Sequence, residues 1–171
     1  IGDCIGSGAY AAVHAAQCVG MSQIVIKIFE TQRTGDAANR EVHVLRSLSH
    51  RHIVPILDLV IASSHWGLVL PRCQGDLKQY LNLVYDQGIP AVCARRYVSQ
   101  LLSALIHVHS HGFVHCDLKP QNVLVGDGAW DVLLADFGSS LVGPVVHHHH
   151  EVVTLCYRAP ELIARAPTFD G

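Results

Sequence analysis

A lysine stands inside the run Ile24-Val25-Ile26-Lys27-Ile28-Phe29, whose other members are all β-branched or aromatic. Such a run reads as a strand, and an ammonium among apolar side chains is costly to bury without a partner. Two arrangements answer that cost. The strand can lie at a sheet edge, with the lysine snorkelling to water, or an anion from elsewhere in the chain can be brought to it. The helical stretch that follows, about Asp36 to Leu48, offers such an anion. Ala37, Ala38, Glu41, Leu45 and Leu48 fall on one stripe, which sets Glu41 among apolar neighbours. A buried-face acid and a buried-strand base make sense as a pair.

Around this pair the first third alternates like strands punctuated by glycine, at Ile1 to Gly8, Ala11 to Val19 and Ile24 to Phe29. Strand-like runs follow at Ile53 to Ile61 and Trp66 to Leu70. From Gly75 the period turns helical, with candidates at Gly75 to Tyr85 and Ala91 to His109. Short strands at Asn122 to Val125 and Val132 to Ala135 bracket a turn at Gly126, Asp127 and Gly128. The longer helix is apolar nearly all round through Tyr97, Val98, Leu101, Leu102, Ala104, Leu105, Ile106 and Val108. It needs cover on every side, and the elements after it are too few, so the chain looks cut short at Gly171.

Composition excludes several classes. Half of the 171 residues are hydrophobic and 15% are charged, which argues against disorder. A formal charge of −2 gives no basic field for nucleic acid or anionic lipid. No run of 18 apolar residues and no signal-peptide pattern is present, so no membrane association is expected. Six cysteines without a C-x-x-C pair read as reduced thiols of a cytoplasmic or nuclear protein. The tract His147 to His150 reads as a solvated insert rather than a metal site, and His107, His109 and His111 as residues of a helix surface or end.

Four segments carry chemistry. Ile5-Gly6-Ser7-Gly8-Ala9-Tyr10-Ala11-Ala12-Val13 sets glycines at a strand-to-strand turn, where the backbone can approach phosphates and offer N–H groups; alone it is a weak signal. In His115-Cys116-Asp117-Leu118-Lys119-Pro120-Gln121-Asn122, Asp117 and Asn122 lie five apart on a loop closed by Pro120, so both can face one site. Fourteen residues on comes Asp136-Phe137-Gly138, directly after an apolar strand. Asn122 and Asp136 offer the oxygen ligands that Mg²⁺ prefers, leaving Asp117 to accept a hydroxyl proton. Thr154-Leu155-Cys156-Tyr157-Arg158-Ala159-Pro160-Glu161 then reads as a loop entering a helix.

In order, Gly6-x-Gly8, Ile26-Lys27, Glu41, His115-x-Asp117-x-Lys119-x-x-Asn122, Asp136-Phe137-Gly138 and Ala159-Pro160-Glu161 resemble the signature set of the protein kinase catalytic domain. The resemblance spans the chain and implies an α+β, two-lobed fold with ATP in the cleft. An N-lobe of antiparallel sheet plus one helix would occupy residues 1–70, a hinge 71–74, and a partial, mainly helical C-lobe 75–171. It implies that Lys27 holds the α/β-phosphates and pairs with Glu41, that Asp117 orients or accepts the proton of the substrate hydroxyl, and that Lys119 steadies the γ-phosphate. Asn122 and Asp136 would hold Mg²⁺. Ile5, Gly6, Ser7, Gly8 and Val13 would cover the nucleotide. Leu70 resembles a gatekeeper, and the backbone of Pro71 and Cys73 would meet the adenine edge. The implied partner is a protein substrate; a regulatory partner is left open, since Gly35 to Glu41 lacks a cyclin-binding signature.

Asp117-Leu118-Lys119-Pro120 is similar to the Ser/Thr form of the catalytic loop, and Glu151 to Glu161 to the cyclin-dependent and mitogen-activated kinase group, in which an arginine at the position of Arg158 shapes a pocket for proline after the phosphoacceptor. Departures accompany the likeness. Ala11 replaces the third loop glycine. Cys116 replaces the arginine that grips an activation-loop phosphate, and His149 occupies the usual phosphothreonine position. Both halves of a phosphorylation switch are thus missing. Glu161 has no visible partner. The resemblance implies a protein kinase; the alternative is a truncated or inactive pseudokinase acting as an ATP-binding scaffold.

Overall fold

A computed structural model describes the chain except for residues 8–10, 19, 31–34, 63–64, 86–87, 127–130, 144, 147–153, 164–167 and 170–171. Gly8, the glycine turn at Asp127 and Gly128, and the tract His147 to His150 therefore lie outside the described residues. The first half is one antiparallel sheet with a helix laid on it. Its strands are β1 (Cys4–Ser7), β2 (Ala11–Cys18), β3 (Met21–Glu30), β4 (Asp58–Ile61) and β5 (His65–Pro71), in the order β1-β2-β3-β5-β4, and α1 (Gly35–Ser47) follows β3.

Strand β3 is central, which rules out the sheet-edge placement for its lysine. Lys27 sits opposite Val13 of β2 and Leu68 of β5. Period-2 alternation sends Val25 and Phe29 to the same side as Lys27, where they join Leu68, Leu70 and the α1 residues Ala38, Val44 and Leu45 in the main core. Ile24 and Ile26 point to the other side and pack with Val69 of β5. Burial on both faces explains why the run reads as continuously apolar.

The expected strand Ile53 to Ile61 forms only in its second half. Residues 52–54 pair elsewhere: Val54 N donates to Leu134 O (3.0 Å), and Leu134 N donates to His52 O (2.9 Å). Pro55, which has no N–H to give a ladder, separates the two pairings. The loop after α1 is thereby tied to β9 (Val132–Leu134), which pairs with β8 (Val123–Val125) and through it with β6 (Gly75–Asp76). The helix expected from Gly75 begins two residues later as α2 (Leu77–Val84), because Gly75 and Asp76 pair with β8 and the Asp76 carboxylate caps the helix by accepting from Gln79 N at 2.9 Å.

The long helix α3 (Ala91–Ser110) buries Cys93, Tyr97, Gln100, Ala104 and Val108 along one stripe. Val98, Leu102 and Ile106 lie on an exposed stripe, so the all-round cover its composition asks for is not supplied among the described residues. After α3 come β7 (Phe113–Val114), which pairs with β10 (Leu141–Val142), β11 (Val145–Val146) paired with β12 (Thr168–Phe169), and the short helix α4 (Pro160–Ile163). The architecture is α+β, a sheet-based lobe joined to a mainly helical part.

Gly67 of β5 marks the tightest approach in the sheet. A Cβ there would lie 2.9 Å from both Ile26 Cγ2 and the Lys27 carbonyl oxygen. Gly67→Ala is expected to lower the unfolding free energy by about 1–3 kcal/mol through overpacking. A urea titration checks it: the midpoint should fall at constant slope, and an unmoved midpoint would show that the sheet has room there.

Candidate active site

Lys27 meets two acids. Its Nζ donates to Glu41 Oε1 (2.8 Å) and Oε2 (2.7 Å) from α1, and to Asp136 Oδ1 (3.0 Å) beyond β9. Burial pushes the Glu41 carboxyl up and Asp136 adds to that push, with Lys27 pulling against both. Burial by itself would lower the Lys27 ammonium, but Glu41 and Asp136 outweigh it and hold the pKa above its ordinary value. The two directions disagree about the pair, since a raised acid counts against ionisation and a raised base for it. The two short contacts decide for the charged pair: a bidentate ammonium–carboxylate contact is strongest when both groups are ionised.

Asp136 is held in left-handed backbone, φ 62°, at the start of the 3-10 turn Phe137–Ser139. For a non-glycine residue this conformation is uncommon and points to a constrained site. The turn is anchored on three sides. Phe137 is fully buried in the main core, Arg40 Nε of α1 donates to Gly138 O at 3.1 Å, and Ala135 N donates to Asn122 O at 2.9 Å. The last bond joins the two segments that carry Asn122 and Asp136.

In the loop after β7, Asp117 is a buried carboxylate with four hydrogen bonds. Its Oδ2 accepts from Lys119 Nζ (2.6 Å) and Asn122 Nδ2 (2.9 Å), and its Oδ1 from Thr154 N (3.1 Å) and Thr154 Oγ1 (2.9 Å). Burial would raise its pKa, but the Lys119 and Thr154 hydrogen bonds outweigh that and hold it below the ordinary carboxylate range. Thr154 Oγ1 also accepts from Lys119 Nζ at 2.8 Å, closing a triangle. His115, buried under the loop, accepts from Asp117 N through Nδ1 and donates from Nε2 to Ala135 O. Burial lowers its pKa, and the Asp117 N–H requires an unprotonated Nδ1, so the ring is neutral.

The structure thus joins Lys27, Glu41 and Asp136 by direct contact, joins Asp117, Lys119 and Asn122 by direct contact, and ties the two groups through the Ala135–Asn122 bond. Ile5 is half exposed on β1, and Gly6 and Ser7 lie opposite Val13 and Ala12 of β2. Val13 packs on the main core, to which Leu70 belongs. Pro71 ends β5, and Cys73 follows two residues later. Sequence reasoning missed three contributors. Thr154 was visible only as part of a longer segment, Arg40 as the neighbour of Glu41, and His115 as the first residue of its motif. Cys116 sits in left-handed backbone, φ 64°, and its thiol donates to Val114 O at 3.4 Å. Burial pushes that thiol up to about 11, so it is neither thiolate nor cation.

The donor set suits Mg²⁺ and a polyphosphate. Asn122 spends its amide N–H on Asp117 O and Oδ2, which leaves Oδ1 as the atom it can offer a cation. Asp136 is about half exposed (48% for the side chain) with one oxygen on Lys27. Two hard oxygen donors, with an ammonium beside them, fit a metal that takes few protein ligands and phosphate oxygens besides. Residues 1–170 match the protein kinase domain, and the chain belongs to that family. Members of the family transfer phosphoryl groups to protein and use ATP with Mg²⁺. Among the described residues no helix is long and apolar enough to cross a membrane.

Thr154→Val keeps the shape but removes the hydroxyl shared by Asp117 and Lys119. It is expected to cost about 1.5–3 kcal/mol of unfolding free energy, the scale of a hydrogen bond to a charged group, and Thr154→Ser should restore most of it. Equal stability of the valine and serine variants in urea unfolding would refute this role for the hydroxyl.

Proposed function

We propose that this chain is a serine/threonine kinase domain that transfers the γ-phosphoryl of ATP to a protein hydroxyl. The observation that carries the reading is Lys27, bound at once to Glu41 of α1 and to Asp136, beside an Asp117 tied to Asn122. Bound Mg²⁺ would neutralise phosphate charge as the phosphoryl moves. In this reading Asn122 and Asp136 hold that ion, and Lys27, fixed by Glu41, orients the α/β-phosphates. Ile5, Gly6, Ser7, Gly8, Val13 and Leu70 enclose the nucleotide, and the backbone of Pro71 and Cys73 contacts adenine. Residues 1–70, 71–74 and 75–171 serve as N-lobe, hinge and C-lobe portion. Asp117, whose low pKa keeps it ionised at neutral pH, orients the incoming hydroxyl and takes its proton. Lys119, on Asp117 Oδ2, steadies the γ-phosphate.

Support for the Ser/Thr class comes from Lys119 and its contacts with Asp117 and Thr154. Proline-directed specificity rests on Arg158 and the likeness of its segment to the cyclin-dependent and mitogen-activated kinases. Cys116, which stands where the family carries a phosphate-gripping arginine, supports a site that does not depend on a phosphate in the activation segment.

Incubation with Mg-ATP and peptide libraries tests both levels. Phosphate should appear on Ser and Thr peptides rather than Tyr, with enrichment of proline at the following position; a flat positional profile removes the proline preference alone. Asp117→Asn should reduce transfer by about 10²–10⁴-fold while Mg-ATP still raises the melting temperature. Stabilisation by Mg-ATP without transfer from the unaltered protein would instead identify a nucleotide-binding scaffold.

A further inference from the structure

The loop after α1 is joined to α3 by a chain of imidazoles. His50 of the loop stacks on His107 of α3 with ring centroids 5.2 Å apart. His52 lies 5.6 Å from His50, and His111 lies 4.3 Å from His107. The hydrogen bonds fix which ring nitrogens are bare. His50 Nδ1 accepts from the backbone N–H of His52 (3.1 Å), and His107 Nε2 accepts from the backbone N–H of Ser49 (3.3 Å). A backbone amide can only donate, so neither nitrogen carries a proton in this arrangement. His50 Nε2 is then the donor to Ser103 Oγ at 3.1 Å. His52 uses Nδ1–H on Val132 O, and His111 uses Nδ1–H on His107 O.

We propose that this cluster is an acid-sensitive joint, in which protonation of His50 unsettles the loop after α1 and its stack on His107 of α3. Adding a proton to His50 Nδ1 turns its bond from His52 N, which shapes the loop, into a clash of two donors and sets a cation against the His107 ring. A second proton places like charges on stacked rings. Most of the surrounding titratable groups are basic. Facing the pair are Arg51 and His52 from the same loop, Arg46 from the end of α1 and His111 from the end of α3. Asp58 of β4 lines the same cavity, of about 880 Å³, as His50 and Arg46, and its carboxylate accepts from the N–H of Leu59 at 2.7 Å. Burial, then His107, His52 and Arg51, lower the His50 pKa. A base with a depressed folded pKa gives stability that is complete above its ordinary value, near ~6.5, and is lost as pH falls from there toward the folded value.

The position of the joint gives the switch its reach. The same loop continues from the helix that carries Glu41, and it pairs with Leu134, two residues before Asp136. Loosening it frees one support of the segment that leads to Asp136, whatever reaction the site performs.

Amide hydrogen exchange on the unmodified chain, read as protection factors from about pH 8 down to about 5.5, tests the proposal. The amides of Ser49 and His52 should lose protection about tenfold or more as pH drops below ~6.5, while those of β2 and β3 hold theirs. Unchanged protection at Ser49 and His52, or an equal loss throughout the sheet, would overturn it. The double variant His50→Asn/His107→Gln supplies the second arm, since Asn Oδ1 and Gln Oε1 can accept the same two N–H groups and take up no proton. It should lack the acid-dependent loss; a folded double variant with the wild-type profile also refutes the joint. Should the variant fail to fold, the wild-type exchange profile decides alone.

Discussion

One ammonium, that of Lys27, holds the site to the sheet. It rises from the central strand of the sheet, spans to Glu41 on the only long helix packed against that sheet among the described residues, and reaches Asp136 in the segment after β9. A charge in such a place is tolerable only when its partners are in position. The position of α1 and that of the Asp136 turn are therefore not independent. Each is a condition for burying the lysine, and Arg40 on Gly138 O and Phe137 in the core reinforce the same link.

The loops on the other side of the site add backbone strain to buried charge. Cys116 and Asp136 both take left-handed conformations, which for ordinary residues cost on the order of 1–3 kcal/mol each. Each fixes the direction of a carboxylate. Asp117 follows the first and is held by four donors, while the second is itself the carboxylate on Lys27. His115 spans the two, accepting from Asp117 N and donating to Ala135 O, so both strained positions are braced by one neutral ring.

Much of this was legible in the residues. Lys27 in a β-branched run and Glu41 on an apolar stripe gave the ion pair before any geometry, because burying either alone is costly. The spacing of Asp117, Asn122 and Asp136 placed them in one site. Less visible were features that depend on partners distant in the chain. Ile53 to Ile61 alternates like a strand, yet His52 and Val54 pair with Leu134, which no local period reveals. Gly75 and Asp76 looked helical because the helix starts immediately after them, and only pairing with β8 assigns them to a strand. His107 read as a helix-surface residue; its half-buried ring and its contact with His50 depend on where the loop after α1 lands. Thr154 carries no pattern of its own, and its hydroxyl matters only because the chain returns to Asp117 there.

The four donors on Asp117 have a consequence for how an alcohol enters the cleft. The carboxylate is already saturated in the resting arrangement, half of its partners coming from a single residue, Thr154. Under the proposed role of Asp117, an arriving hydroxyl would find all four lone-pair positions taken and would trade places with a donor already bound. Such an exchange is close to thermoneutral, because one hydrogen bond replaces another. In the proposed reaction the Thr154 hydroxyl would be the donor that the incoming alcohol replaces.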